Sequence, residues 1–123
     1  MANLYDGMNV NFEAVLLAAT DRVAGTQYRR VSKQWYLSAD HCCEDWQVEH
    51  CARSHPRRVL YRAPAAARAA AHNVERPGSV VGGFSALALY GMPFLVEGAD
   101  TTLRAAVRAT LPASTFRPAV ARL

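Results

Sequence analysis

The sequence predicts a small α+β domain built from short helices and a basic β-hairpin, winged-helix-like in outline. Three observations lead there. The segment Tyr28–Leu37 places strand-forming residues on either side of a Ser32-Lys33-Gln34 connection, the pattern of a hairpin. The segment Pro64–Arg76, PAAARAAAHNVER, contains six alanines and reads as a helix. The segment Pro77–Pro93, PGSVVGGFSALALYGMP, combines a turn, a short strand, a short helix and a stop.

The N-terminal ten residues show no hydrophobic period and are expected to fray. Asn11 suits the N-cap of a helix over Phe12–Ala19, whose apolar positions Phe12, Val15, Leu16 and Ala19 share one face. A polar loop follows from Thr20 to Gln27. In the hairpin, Arg29, Arg30 and Lys33 all lie within two residues of the turn. A basic hairpin tip suits the wing of a DNA binder, which touches phosphate or enters the minor groove. It equally suits an edge hairpin protected by charge.

Glu44 and Asp45 start a helix running to about Ser54, with acids at its beginning and Arg53 and His55 at its end, as the macrodipole favours. His55-Pro56 ends it. Val59-Leu60-Tyr61 is a buried strand or the lead into the next helix. In that alanine-rich helix Pro64 fits the first helical position, and Arg68, His72 and Glu75 or Arg76 form an expected polar stripe with His72 partly exposed. Within Pro77–Pro93, Val80-Val81 reads as a strand end and Phe84–Tyr90 as a helix too short to persist unless packed on most sides. Phe94-Leu95-Val96 continues the apolar run. Glu97–Asp100 reads as a turn, and Thr101–Leu103 with the alternation around Val107–Leu111 as one or two strands. The tail, residues 112–123, reads as an extended and poorly ordered end or as the start of a truncated element.

At 123 residues, with 51% hydrophobic and 20% charged content, the chain has the size and composition of one globular domain. No apolar run approaches the roughly 20 residues of a membrane span. The start, MANLYDGMNV, has neither a basic n-region nor an apolar h-region. A cytoplasmic protein with no membrane association is therefore expected. Three cysteines in a reducing compartment do not make a disulfide framework.

The net charge of +4 is unevenly spread. Residues 1–50 carry seven acids and four bases, whereas residues 51–123 carry ten bases and three acids. Arg53, Arg57, Arg58, Arg62 and Arg68 lie between Cys51 and Asn73 without one acid among them. Arginine forks suit phosphate, so this tract is either a polyanion-binding patch or a solvated face.

His41, Cys42, Cys43, His50, Cys51 and His55 form the one ligand-like constellation. Of these, His41, Cys43, Cys51 and His55 are the candidate zinc ligands, although no CxxC or HxxxH spacing is present and no cofactor is expected. The chain lacks GxxxxGK[ST], GxGxxG, HExxH and GxSxG, and its only lysine, Lys33, sits in the hairpin. No catalytic residues are expected, and the chain reads as a non-enzyme.

YRRVSKQWYLSA and VVGGFSALALYGMP together resemble proteins of the AbiEi antitoxin-like group of actinobacterial regulators. Those pair a basic hairpin ending in an R-x-G-V-Y-V strand with a helix of S-x-x-S-A-x-x-L-H-G-L-P type. Ser85-Ala86 matches the S-A pair, Tyr90 stands for the histidine and Met92 for the leucine. The resemblance covers roughly residues 20–105. It implies a winged-helix-like region, transcriptional autoregulation and a nucleotidyltransferase-type toxin as partner. The family's longer N-terminal helix-turn-helix and the nuclease domain of related chains are not expected here. The combined reading is a DNA-binding regulator or antitoxin-like protein that contacts phosphates through Arg29, Arg30, Lys33, Arg53, Arg57, Arg58 and Arg62. The alternatives are a toxin-neutralising or homodimerising interaction module and a small zinc-binding protein.

Overall fold

The computed structural model describes residues 12–53, 55, 57–82, 85–86 and 98–123. Asn11, most of the expected helix Phe84–Tyr90, the stop at Pro93 and the Phe94–Val96 run lie outside the described residues, as do residues 1–10. Within them the fold is mixed α+β, with two three-stranded sheets and two helices of more than two turns.

The first helix, α1, covers only Phe12–Val15, and Leu16 closes it with a bond from its N–H to the Phe12 carbonyl at 3.0 Å. The expected continuation to Ala19 is replaced by a two-residue strand, β1 (Leu17–Ala18), and a single 3-10 turn, Ala19–Asp21. The reason is tertiary. Leu17 and Ala18 pair antiparallel with Tyr36 and Trp35, so their backbone groups bond across a sheet instead of along a helix. A helix this short has little cooperative stability to oppose that exchange.

The hairpin forms as its residues suggest. Strand β2 (Tyr28–Arg30) runs antiparallel to β3 (Trp35–Ser38), with Arg29 opposite Leu37 and Arg30 opposite Tyr36. Strand β3 is central in the order β1-β3-β2. Val31 and Leu37 are almost completely buried and anchor this sheet in the core. The tip is held from outside. Glu75, at the end of the alanine-rich helix, accepts hydrogen bonds from the Ser32 hydroxyl and from the Gln34 N–H, the latter at 2.9 Å.

Helix α2 spans Asp45–Arg53. The Gln47 side chain accepts from the Glu44 N–H at 2.9 Å, half of a capping box, while Val48 and Ala52 face inward. The chain then passes through Arg58, whose φ of 55° is left-handed, into a segment that alternates outward Leu60 with inward Tyr61 and Ala63.

Helix α3 (Ala65–Glu75) occupies the centre of the described core. Pro64 is not its first helical residue. With ψ at 151° it stands just outside, and its carbonyl accepts the first helical bond, from the Arg68 N–H at 3.0 Å. The expected exposed stripe is also overturned: Arg68 is 1% and His72 2% exposed. Alanines at 65, 66, 67, 69 and 71 are too small to fill the space around the helix. Neighbouring segments therefore close over it on nearly every side, polar positions included. Arg68 meets the desolvation cost with bonds to the Ala63 carbonyl (3.1 Å) and the Ala99 carbonyl (2.6 Å), and its guanidinium lies 3.9 Å from the centre of the Tyr61 ring.

Pro77-Gly78 makes the expected turn, with Gly78 at φ +83°, and leads into β4 (Val80–Val81). Ser85 and Ala86 are helical, and the Ser85 hydroxyl accepts from the Thr102 N–H at 2.9 Å. Strand β5 (Thr102–Ala105) pairs antiparallel with β4 and parallel with β6 (Ala119–Arg122). The end of the tail, Ala119–Arg122, is thus a paired strand with Val120 buried against the sheet, where the sequence suggests only an extended end. The segment Val107–Leu111 is irregular except that Leu111 exchanges backbone bonds with Val120, each at 2.9 Å. The apolar residues of the tail found a partner in β5, which no local pattern could reveal. Among the described residues no helix is long and apolar enough to cross a membrane.

Candidate functional site: an arginine-lined cleft

The hairpin, the segment after α2 and the loop before β6 enclose a cleft of about 230 Å³. Arg29, Arg30 and Val31 of the hairpin form one wall. Residues 60–63 and Arg68 form another, and Thr115 and Phe116 close it. Four arginines therefore surround one space, and no carboxylate lines it among the described residues.

The four arginines are held differently. Arg30 donates Nε to the Ser32 carbonyl at 2.9 Å and one Nη to the Lys33 carbonyl at 3.1 Å, and its guanidinium lies 4.6 Å from the centre of the Phe116 ring. Its charge is fixed in place by its own turn. Arg68 is buried and stacked on Tyr61. Arg29 is exposed on β2 and has no hydrogen bond or ion pair among the described residues. Arg62 pairs with Asp45 at 2.8 Å, but both groups are solvent-accessible, with 40% and 86% of their side chains exposed. Such a pair is worth about 0–1 kcal/mol and opens easily.

Behind the cleft, Asp100 ties the chain together. One carboxylate oxygen accepts from His55 Nε2 at 2.8 Å, from an Arg57 Nη at 2.9 Å and from the Tyr61 hydroxyl. Burial raises the Asp100 pKa, but the three donors outweigh it and hold the carboxyl below its usual 3.8. Burial, with the same carboxylate, pushes the Tyr61 phenol up to about 12, so its proton stays available as a donor. The other nitrogen of His55, Nδ1, accepts from the Arg57 N–H at 3.0 Å. Both nitrogens of this imidazole are engaged, so the group is a structural clamp.

The seven basic residues singled out from sequence therefore separate. Arg29, Arg30 and Arg62 line the cleft, and Lys33 is exposed at the hairpin tip. Arg57 is spent on Asp100, and Arg58 donates to the Arg53 carbonyl at 2.7 Å. Arg53 is exposed at the end of α2. The metal candidates do not converge: among the described residues no group of three or more His, Cys, Asp or Glu side chains is placed to hold an ion. His55 belongs to Asp100, His50 is exposed, and the Cys42 thiol donates weakly to the Ser38 carbonyl at 3.6 Å. Burial pushes that thiol up to about 11. Sequence reasoning missed Phe116 and Tyr61 as arginine platforms and Asp100 as a clamp. The acid-free stretch from Cys51 to Asn73 did point to Arg68, although not to its burial.

Comparison with protein-family models, with curated proteins and with solved structures found no match for this chain.

Proposed function

We propose that this chain is a DNA-binding regulator of the AbiEi-like kind, which engages the sugar–phosphate backbone through the β2–β3 hairpin and the arginines gathered at its base. One observation carries the reading: Arg29 and Arg30 of the hairpin and Arg62 of the distant arginine tract line a single cleft that has no carboxylate in its lining among the described residues. Lys33 extends the same positive surface at the tip. Only Arg62 of these has a carboxylate partner among the described residues, the exposed Asp45, so the gathered like charges repel one another and a polyanionic partner relieves that cost.

In this reading the hairpin is the wing and the contacts are to phosphate, not to base edges. Helix α3 is too buried to enter a groove, and α2 exposes Asp45 and Glu49, which repel phosphate. Autoregulation and toxin neutralisation are roles implied by the family resemblance. Phosphate contact is the part the arginine geometry favours.

Fluorescence anisotropy with mixed-sequence duplex DNA tests it. Four phosphate contacts, by Arg29, Arg30, Lys33 and Arg62, give a log–log salt slope of roughly −3.6. Affinity then falls about 150-fold between 50 and 200 mM salt. The triple variant R29A/K33A/R62A should lose binding to all sequences alike. Salt-independent binding, or unchanged binding by the triple variant, overturns the reading.

A further inference from the structure

We propose that the cleft between β2, residues 60–63 and Phe116 is a receptor for one phosphomonoester, either a free nucleotide or the 5′-phosphorylated end of a strand. The proposal deepens the phosphate-binding reading and rests on it for the sign of the ligand's charge. Three features point past a duplex backbone. First, the positive groups surround a concavity of about 230 Å³ instead of following a track. That is below the roughly 300 Å³ at which sites for drug-sized ligands begin, and it suits a phosphate with its sugar.

Second, a terminal monoester carries about −1.5 to −2 charges at pH 7 and three strong acceptor oxygens, whereas each backbone diester carries a single charge. Several arginines lining one small cleft match the former. Arg30 is preorganised for this task. Two of its nitrogens are fixed on the turn carbonyls and its plane rests on Phe116, while its second Nη has no hydrogen-bond partner among the described residues. Arg29 is unpartnered there as well, and Arg62 needs only to exchange the exposed Asp45 for the ligand. Third, Val31, Leu60 and Ala63 supply an apolar wall beside the arginines, against which the carbons of a sugar can pack.

Binding of adenosine 5′-monophosphate and of adenosine is compared by titration calorimetry on the full chain. A companion experiment uses single-stranded oligonucleotides bearing a 5′-phosphate or a 5′-hydroxyl. The expected result is binding of the monophosphate and none of adenosine. R29A and R62A should each weaken it about tenfold or more, as loss of a charge-assisted bond requires. Because D45N releases Arg62, it should tighten binding up to about fivefold. This gain separates the proposal from loss through misfolding.

A preference of tenfold or more for the 5′-phosphorylated strand over its hydroxyl counterpart would assign the strand end. Equal binding of both strands, with the monophosphate still bound, would assign the free nucleotide. If neither the monophosphate nor the 5′-phosphorylated strand binds better than its unphosphorylated control, the proposal is overturned. Duplex binding in that case would leave the DNA reading intact. Monophosphate binding without duplex binding would instead remove the DNA reading and keep the site.

Discussion

Replacing Asp100 by alanine removes the acceptor that three side chains share. Tyr61 and His55 are 8% and 7% exposed, so water does not readily replace the lost carboxylate. Each buried donor left unsatisfied costs about 1–3 kcal/mol. Arg57, with 43% of its side chain exposed, adds little. Because the three bonds converge on one oxygen and the Asp100 side chain is itself 30% exposed, the sum is smaller than three independent bonds. A net loss of about 2–4 kcal/mol is expected. Asp100→Asn keeps a neutral acceptor and should lose about half as much.

Urea unfolding at pH 7 reads the difference. With a slope of about 1.5 kcal/mol per molar, the alanine variant's midpoint should fall by about 1–3 M. The effect has a definite pH signature. A carboxylate whose folded pKa lies below its ordinary 3.8 contributes fully above that value, and the contribution is lost as pH falls through the folded pKa. Wild type and variant should therefore converge in acid. A midpoint shift under about 0.3 M at pH 7, or a difference that grows on acidification, would refute the clamp.

Three further outcomes follow from the same geometry. Glu75→Ala should free the hairpin tip at a cost of about 1–2 kcal/mol, and amide exchange at Gln34 should quicken while the β1–β3–β2 ladder keeps its protection. Burial, reinforced by the Arg68 charge, lowers His72 to about 4 from 6.5. Its imidazole should give an NMR titration midpoint near 4, and the chain should lose stability as pH falls from 6.5 toward 4, where the unfolded state takes up the proton first. The Cys42 thiol, pushed up to about 11, should alkylate in the native protein at pH 8 far more slowly than in the denatured chain, as mass spectrometry of that peptide can follow.

The amino-acid pattern was informative where the signal is local. The hairpin is readable because β-branched and aromatic residues flank a short polar connection, and the register bonds merely complete it. Helix α2 is readable from its acids and closing basic residues, and α3 from its alanines. The charge asymmetry likewise showed that an arginine-rich tract exists.

Long-range partnership settled the remainder. Leu17 and Ala18 have an acceptable helical pattern and became a strand because β3 offered an edge. Val120 lies in a segment without periodicity and became buried because β5 was open to parallel pairing. Arg68 and His72 sit at helical positions that read as solvent-facing. Alanine neighbours let other segments close over them, and the distant Ala99 carbonyl and Tyr61 ring made the arginine's burial affordable. The cleft follows the same rule. Its arginines could be counted along the chain, but which of them are tied to carboxylates and which face a common space depends on contacts between residues dozens of positions apart. Composition carries no record of those distances.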